Sequence, residues 1–367
     1  MKRIMTTAAV VALSAGMAQA GGVERSTQST GILFEKGNYA EFNIGGFNPD
    51  VSGKFEANGA ASGDMAPGYG TYSFGYKQAL SDKVDVAIIL DQPIGANIDY
   101  RTGTTYPLAG STAEVNSNAI TGLVRYKLPQ NFSVFGGLRI EQARGKVSLS
   151  NGYQMKTSNE TDYGYVIGAA WEKPEIAARV ALTYNSKITH DFTASENVLG
   201  GVPSSFETTV PESVNLEFQT GIAANTLLMG SVRWVHWTQF DISPPGYLGA
   251  SGGAALVDYA NNTISYSLGV GRKFNEQWSG ALMFGYEKQQ GGRTGNLGPT
   301  DGYKSVSLAA SYQATDKVKI TGGVRYVDIG NAKTNPYFPA YPATSVFGGD
   351  FSGNSGWGAG VRVGISF

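Results

Sequence analysis

Ser355–Phe367 reads SGWGAGVRVGISF. Trp357, Ala359, Val361, Val363, Ile365 and Phe367 fall on one face of an extended chain, and Gly358, Gly360, Arg362, Gly364 and Ser366 on the other. Alternation held over this length has the period of a strand, not of a helix. One face is continuously apolar; the other is small and polar and carries a charge. A soluble sandwich would turn the apolar face inward. A transmembrane barrel turns it outward into lipid and keeps the polar face for the lumen. This last strand is expected to pair with the first one and close a sheet.

Composition agrees with a barrel. Only 16% of the 367 residues are charged, against roughly 25% in soluble domains. Gly (50), Tyr (20) and Phe (17) are plentiful, as suits a barrel with aromatic rings at both membrane interfaces. A net charge of −1 offers no electrostatic footprint for nucleic acid. The absence of Cys excludes a disulfide framework, thiolate catalysis and zinc ribbons. Lys2 and Arg3 precede a mostly apolar run, Ile4 to Met17, and Ala18-Gln19-Ala20 supplies a small-x-small cleavage site. Residues 1–20 are therefore predicted to be a secretory signal. No later segment reaches the ~20 apolar residues of a membrane helix, so any crossing must use strands.

Residues 21–38 form a polar segment with one apolar knot at Ile32, Leu33 and Phe34, predicted to plug the barrel formed by 39–367. About fourteen strands are expected, among them 39–48, 68–80, 82–100, 114–128, 175–190, 212–222 and 355–367. Tight turns at Ser81-Asp82, Pro129-Gln130, Lys173-Pro174, Ala224-Asn225, Asn275-Glu276 and Thr315-Asp316 alternate with long segments such as 49–67, 191–211, 242–261 and 330–354. An antiparallel barrel with periplasmic turns, extracellular loops and both termini in the periplasm demands that alternation. The expected location is the outer membrane of a Gram-negative bacterium.

The same parity sends Arg125, Arg139, Arg179, Arg233, Arg325 and Arg362 into the lumen, since Arg on the lipid face costs about 2–4 kcal/mol at mid-depth. Their distances from the turn ends predict a basic girdle low in the barrel. Pairing with acids such as Asp85 and Glu141 is the structural reading, and binding of a substrate carboxylate the functional one. Among loop residues, Phe192, Val198, Leu199, Val202 and Phe206 in 191–211, and Tyr337, Phe338, Tyr341 and Phe347 in 330–354, are apolar groups of the kind that mark binding surfaces or pack as a lid.

Four stretches resemble the FadL/TodX family of outer-membrane transporters for long-chain fatty acids and hydrocarbons. They are Asp91-Gln92-Pro93-Ile94-Gly95-Ala96-Asn97-Ile98-Asp99-Tyr100, Val210-Pro211-Glu212-Ser213-Val214-Asn215-Leu216, Arg233-Trp234-Val235-His236-Trp237-Thr238-Gln239-Phe240, and the closing strand with Phe367. The resemblance implies a monomeric fourteen-strand barrel with an N-terminal plug. It implies capture of a hydrophobic molecule, long-chain fatty acids above all, among the loops. Release would be sideways into outer-membrane lipid beside a kinked third strand. Pro93 cannot donate a ladder hydrogen bond, and Gly95 permits a bend, so Pro93, Ile94 and Gly95 are the expected exit. Ile32, Leu33 and Phe34 are the expected plug contact with cargo. The family's plug carries an Asn-Pro-Ala motif that 21–38 lacks. The C-terminal strand is the expected contact for the barrel-assembly machinery, and no cofactor or metal is expected.

A general diffusion porin is the rival reading; it needs an open aqueous lumen and a charged constriction. An outer-membrane enzyme would have to use His190 or His236, the only histidines, neither of which sits in a recognisable catalytic motif.

Overall fold

The computed structural model describes residues 22–336 and 347–367. The predicted signal, 1–20, and Tyr337, Phe338 and Tyr341 lie outside the described residues.

Eighteen strand segments join into one sheet, and because four strands are each made of two segments, fourteen strands run round it. Strands 1 and 2 are Tyr39–Asp50 and Tyr69–Ala79. Strand 3 is Val84–Asp91 continued by Gly95–Asp99. Strands 4 and 5 are Thr112–Lys127 and Phe132–Ser148. Strand 6 is Gln154–Thr157 with Glu160–Lys173, strand 7 Ala178–Asn185 with Ile188–Glu196, and strand 8 Pro203–Val210 with Ser213–Ala223. Strands 9 to 11 are Thr226–Val235, Thr263–Lys273 and Trp278–Glu287. Strands 12 to 14 are Tyr303–Gln313, Val318–Ile329 and Asn354–Ser366. Strand 14 pairs antiparallel with strand 13 and, from Tyr39↔Ser366 to Asp50↔Ser355, with strand 1. The sheet is closed.

Its faces are inverted relative to a soluble fold. On strand 14, Trp357 is 60% exposed and Phe367 55%, whereas Arg362 is 6%. Leu138, Ile167, Leu268 and Phe284 likewise point outward. So wide an apolar exterior is stable only against lipid. Aromatic pairs mark both rims of that belt. At the short-turn end Tyr76 stacks on Phe367 and Trp278 meets Tyr312; at the long-loop end Tyr326 meets Trp357 and Tyr266 meets Tyr286.

Strands 7 and 8 depart from the sequence expectation. Residues 191–211 are not one long loop, because both strands break together, at residues 186–187 and 211–212, and then continue as a hairpin from Ile188↔Val210 to Ser195↔Pro203. The break on strand 8 is the Pro211-Glu212 step, where proline removes a ladder donor. Above it the outward residues are Thr189, Asp191, Thr193 and Ser195, so this hairpin stands beyond the apolar belt.

The long loops are laced by two carboxylates, one buried and one half-buried. Glu196, at the end of strand 7, accepts from Tyr153 Oη (2.7 Å), Ser204 Oγ (2.6 Å) and the amides of Gly246 (3.1 Å) and Tyr247 (2.9 Å) in helix α1, Pro245–Ser251. An added Cβ at Gly246 would lie 2.6 Å from Glu196 Oε2, so only glycine admits this contact. Glu56 accepts from Arg293 (3.1 Å), Lys333 (3.2 Å) and the Gly348 amide (2.9 Å), joining three further loop segments.

Candidate hydrophobic-ligand site

The site begins at the break in strand 3. Its lower segment pairs with strand 2 only from Phe74↔Leu90 to Ala79↔Asp85, and its upper segment pairs with strand 4 alone. The upper part of strand 2, Tyr69 to Ser73, is therefore paired with strand 1 but not with strand 3. The wall has a gap in its hydrogen-bond ladder there. Gln92 Oε1 accepts the Tyr72 amide at 3.2 Å, and the Tyr72 hydroxyl donates to Asn118 Oδ1 of strand 4 at 2.9 Å. The Tyr72 ring thus reaches from strand 2 to strand 4 on the outer surface at the level of the gap.

Inside, the orphaned backbone of the break is satisfied by the N-terminal segment. Pro93 O accepts from the amides of Arg25 (2.9 Å) and Ser26 (3.3 Å), and the Gly95 amide donates to Val23 O (2.8 Å). Buried backbone groups need such partners. Gly95 has a second role: an added Cβ would lie 2.5 Å from Arg25 Nε. The glycine therefore admits Arg25, whose guanidinium lies over the Tyr69 ring at 4.3 Å. A bend is not its only use.

From there the segment descends through the lumen. Glu24 is held by Arg233, whose Nε sits 3.0 and 3.1 Å from its two oxygens. Arg139 donates to Gln28, Asn215 to Thr27 O (2.9 Å), and Ser29 to Glu217 (2.8 Å). At the bottom Ile32 and Leu33 pack with Ala87, Leu123, Phe135 and Val166. Phe34 lies under Arg125 (4.5 Å) and Arg179 (4.7 Å). Arg125 also donates to Leu33 O (3.0 Å) and pairs with Asp85 and Glu172. Lys77 donates to the carbonyls of Glu35 (3.1 Å) and Gly37 (2.7 Å).

Two cavities border the upper part of this segment. One, of about 250 Å³, has a mixed lining that carries several charges: Arg25, Asp91, Gln92 and Tyr72, with Arg233, Arg325 and Arg362 across the lumen. The other, of about 60 Å³, is mainly apolar and lies among the long-loop structures. Ile94, Ala96 and Ile98 of strand 3, Phe192, Phe206 and Val210 of the outer hairpin, and Phe240 and Leu256 line it. Val23 lines the apolar cavity and Arg25 the larger, mixed one, so the segment partitions them. Trp237, buried against Phe240 and Tyr259, packs under the start of the segment, where an added Cβ at Gly22 would overlap the indole.

The sequence-derived residues separate on this map. Ile94, Phe192 and Phe206 meet at the apolar cavity, with Pro93 and Gly95 beside it at the break. Val198 and Val202 are exposed at the hairpin tip with Leu199, and Phe347 packs edge-on to Phe55 elsewhere among the loops. Ile32, Leu33 and Phe34 lie at the lower wall, remote in sequence and contact from that cavity; the segment touches it through Val23. The six arginines occupy two levels. Arg125, Arg179 and Arg362 sit near the short turns, whereas Arg139, Arg233 and Arg325 each lie further along, well past the first residues of strands that begin at Phe132, Thr226 and Val318. Four of the six contact the N-terminal segment; Arg325 bonds Ser305 (3.0 Å) and Arg362 bonds Asn43 (2.5 Å). His236 meets Glu212 and His190 meets Asp162. Val23, Tyr72, Phe240 and Tyr259 escaped sequence reasoning as site residues. Phe240 stood in a quoted motif, but nothing in the polar stretch around Val23 signalled its position.

The family model described as outer membrane protein transport protein (OMPP1/FadL/TodX) matches residues 35–367. Among solved structures, a Pseudomonas aeruginosa FadL homologue is 15% identical with a TM-score of 0.76, covering 97% of this chain and 98% of that one. The Pseudomonas putida toluene transporter TodX is 12% identical (TM-score 0.66; 96% and 99% covered), and the Ralstonia pickettii toluene transporter TbuX 10% (0.59; 91% and 90%). No curated protein sequence matches the chain. At these identities the structures establish the shared fold. The family model spans nearly the whole barrel, and the chain belongs to the OMPP1/FadL/TodX family of outer-membrane transport proteins.

Proposed function

We propose that this protein carries hydrophobic molecules into the outer membrane: the long loops capture them, the apolar cavity holds them, and they leave sideways through the gap beside strand 3. The observation that carries this reading is the placement of an apolar cavity against the inner face of strand 3, which leaves the upper part of strand 2 unpaired. An apolar molecule gains about 0.8 kcal/mol per buried methylene on such a path, and a side exit spares it a return to water. The short turns and both termini then face the periplasm. The N-terminal segment separates the cavity from the lumen that reaches the gap, so its upper end must shift for cargo to pass.

Long-chain fatty acid is the cargo class implied by the sequence resemblance, and the toluene transporters extend it to monoaromatic compounds. A cavity of about 60 Å³ encloses a compact body, so a long acyl chain would run on from it towards the gap. The N-terminal segment, bonded to strands on several sides, weighs against a general diffusion porin, which needs an open bore.

The test is uptake of labelled fatty acid and labelled toluene by cells carrying this protein as their only such transporter. Native chain is compared with Pro93→Val, which restores the missing donor, and with Tyr72→Ala, which uncovers the gap. Gly95→Thr is a poor probe, because its side chain would also displace Arg25. Slower uptake in the first variant and faster uptake in the second are expected. Unchanged uptake in both, with normal barrel assembly, sinks the side exit. Passage of small hydrophilic solutes without uptake of either label restores the porin.

A further inference from the structure

The lining of the apolar cavity contains two buried polar atoms without a partner among the described residues. His190 and Thr208 are directly opposed across the outer hairpin, and both line the cavity. Both are buried, His190 completely and Thr208 to 5% exposure. Neither His190 Nε2 nor Thr208 Oγ1 has a hydrogen-bond partner among the described residues. They are not bonded to each other, although they are cross-strand neighbours. Leaving such groups dry and unpaired is costly, so their place in a mainly apolar lining needs a cause.

The chemistry of the pair defines what fits between them. His190 Nδ1 lies 2.8 Å from Asp162 Oδ2. A carboxylate can only accept, so Nδ1 carries the proton. Burial among Ile94, Phe192 and Phe206 also holds the ring's pKa below the ordinary histidine value, against the pull of Asp162. In that neutral ring Nε2 presents a lone pair. Thr208 can donate or accept. The complementary group must donate to Nε2, and a hydroxyl that does so can at the same time accept from Thr208. A carboxylate would set its own lone pairs against that of Nε2, and a hydrocarbon would leave both atoms unpaired.

We infer that His190 and Thr208 form a recognition site for a single hydroxyl group on an otherwise apolar ligand, a phenol or an alcohol. The inference rests on the proposed function, since it assigns a substrate class to the same cavity. His190 and Thr208 contact the ligand; Asp162 is a positioning residue that fixes the tautomer.

The test uses p-cresol and p-xylene, which differ by hydroxyl against methyl. Radiolabelled compounds are equilibrated with the full-length mature protein in lipid nanodiscs, and uptake by empty nanodiscs is subtracted. A wholly apolar cavity would favour p-xylene, because burying an unpaired hydroxyl is costly. The native protein is expected to bind p-cresol at least as tightly as p-xylene. His190→Phe and Thr208→Val are each expected to shift the ratio about tenfold towards p-xylene. Heat-shifted gel migration reports whether each variant is folded, and the native ratio is informative without either. Tighter binding of p-xylene by the native protein overturns the inference, as does a ratio that neither folded variant moves; in both cases the apolar cavity keeps its transport role. Binding of neither compound overturns this inference and the cavity's role together.

Discussion

The two ends of the N-terminal segment are fixed by different physics. The lower end is held by packing: Leu33 is fully buried among Leu123, Phe135 and Val166, and cations from three strands close over Phe34 and the following carbonyls. The upper end is held chiefly by backbone, with one small apolar contact where Val23 packs beside Ile94 and Trp237. Val23 to Ser26 lends hydrogen bonds to a broken strand, and Glu24 adds one ion pair to Arg233. Apolar packing in a fitted wall has no cheap alternative arrangement, whereas hydrogen bonds to an unpaired strand edge can be exchanged one for another. The lower end is thus an anchor, and the upper end, which borders both cavities, is the part suited to move.

The largest expected effect comes from breaking the anchor. Leu33→Asp places an unpaired carboxylate in an apolar wall, where Leu→Ala alone costs about 2–5 kcal/mol. The lower lumen should open, and single-channel conductance in planar bilayers should rise well above that of the native protein. An unchanged conductance would show that Ile32 to Phe34 do not seal the barrel. Breaking the upper end should be smaller and local. Glu24→Gln leaves Arg233 without its charge partner, a loss of about 3–5 kcal/mol for a fully buried pair and less in a lumen that contains water. Hydrogen exchange at the Gly95 amide, which is bonded to Val23 O, should quicken while amides of strands 12 to 14 keep their protection. Equal exchange at Gly95 in native and variant would break the comparison, for the two ends would then be equally fixed.

What the sequence carried was the period of its strands. Trp357, Val361 and Ile365 against Arg362 and Gly364 state the inverted barrel unaided, because a two-residue period and an apolar outer face are both written in order along the chain. Pro93 also marked the break, since proline cannot donate wherever it sits. The expected plug contact stands apart from the apolar cavity for a related reason. Ile32-Leu33-Phe34 is the apolar run in 21–38, yet it packs on the lower wall; which end of a segment meets a cavity depends on its direction through the lumen, and that is a tertiary fact. Strands 7 and 8 were stopped too soon, because above their break Thr189, Asp191 and Thr193 replace the apolar outer face that served as the strand signal. Phe192 and Phe206 were found as a composition. Only the register, which sets them opposite each other, makes them a wall.

The loops that cover the cavity should come loose in acid. Glu196 is buried, which raises its pKa, but donors from Ser204, Tyr153, Gly246 and Tyr247 outweigh that and hold it below the ordinary glutamate value. Its stabilisation is therefore complete above the unfolded value of about 4.3 and is lost as pH falls through the lower folded value. Protease nicking of 197–202 and 245–253 should increase only below about pH 4. Glu196→Gln, which cannot accept from four donors as strongly, should show raised nicking at pH 7, equivalent to about 1–3 kcal/mol, with little further change in acid. Nicking in the native protein that does not respond to pH would remove Glu196 as the tie between these loops.

The finest distinction concerns Tyr72, whose hydroxyl bonds Asn118 across strand 3. The ring and the hydroxyl can be separated. Tyr72→Phe keeps the ring and loses one partly exposed hydrogen bond, about 0.5–1.5 kcal/mol, a factor of no more than about ten in how often the ring swings aside. Tyr72→Ala removes the cover altogether. If the ring is what screens the gap, cargo efflux from loaded vesicles should be slowest in the native protein, modestly faster in Tyr72→Phe and fastest in Tyr72→Ala. If both variants match each other, the hydrogen bond to Asn118 holds the cover shut and the ring by itself does not. If both match the native protein, the gap beside strand 3 is closed by something other than Tyr72, and the upper end of the N-terminal segment, already bonded to Pro93 and Gly95 from within, is the remaining barrier.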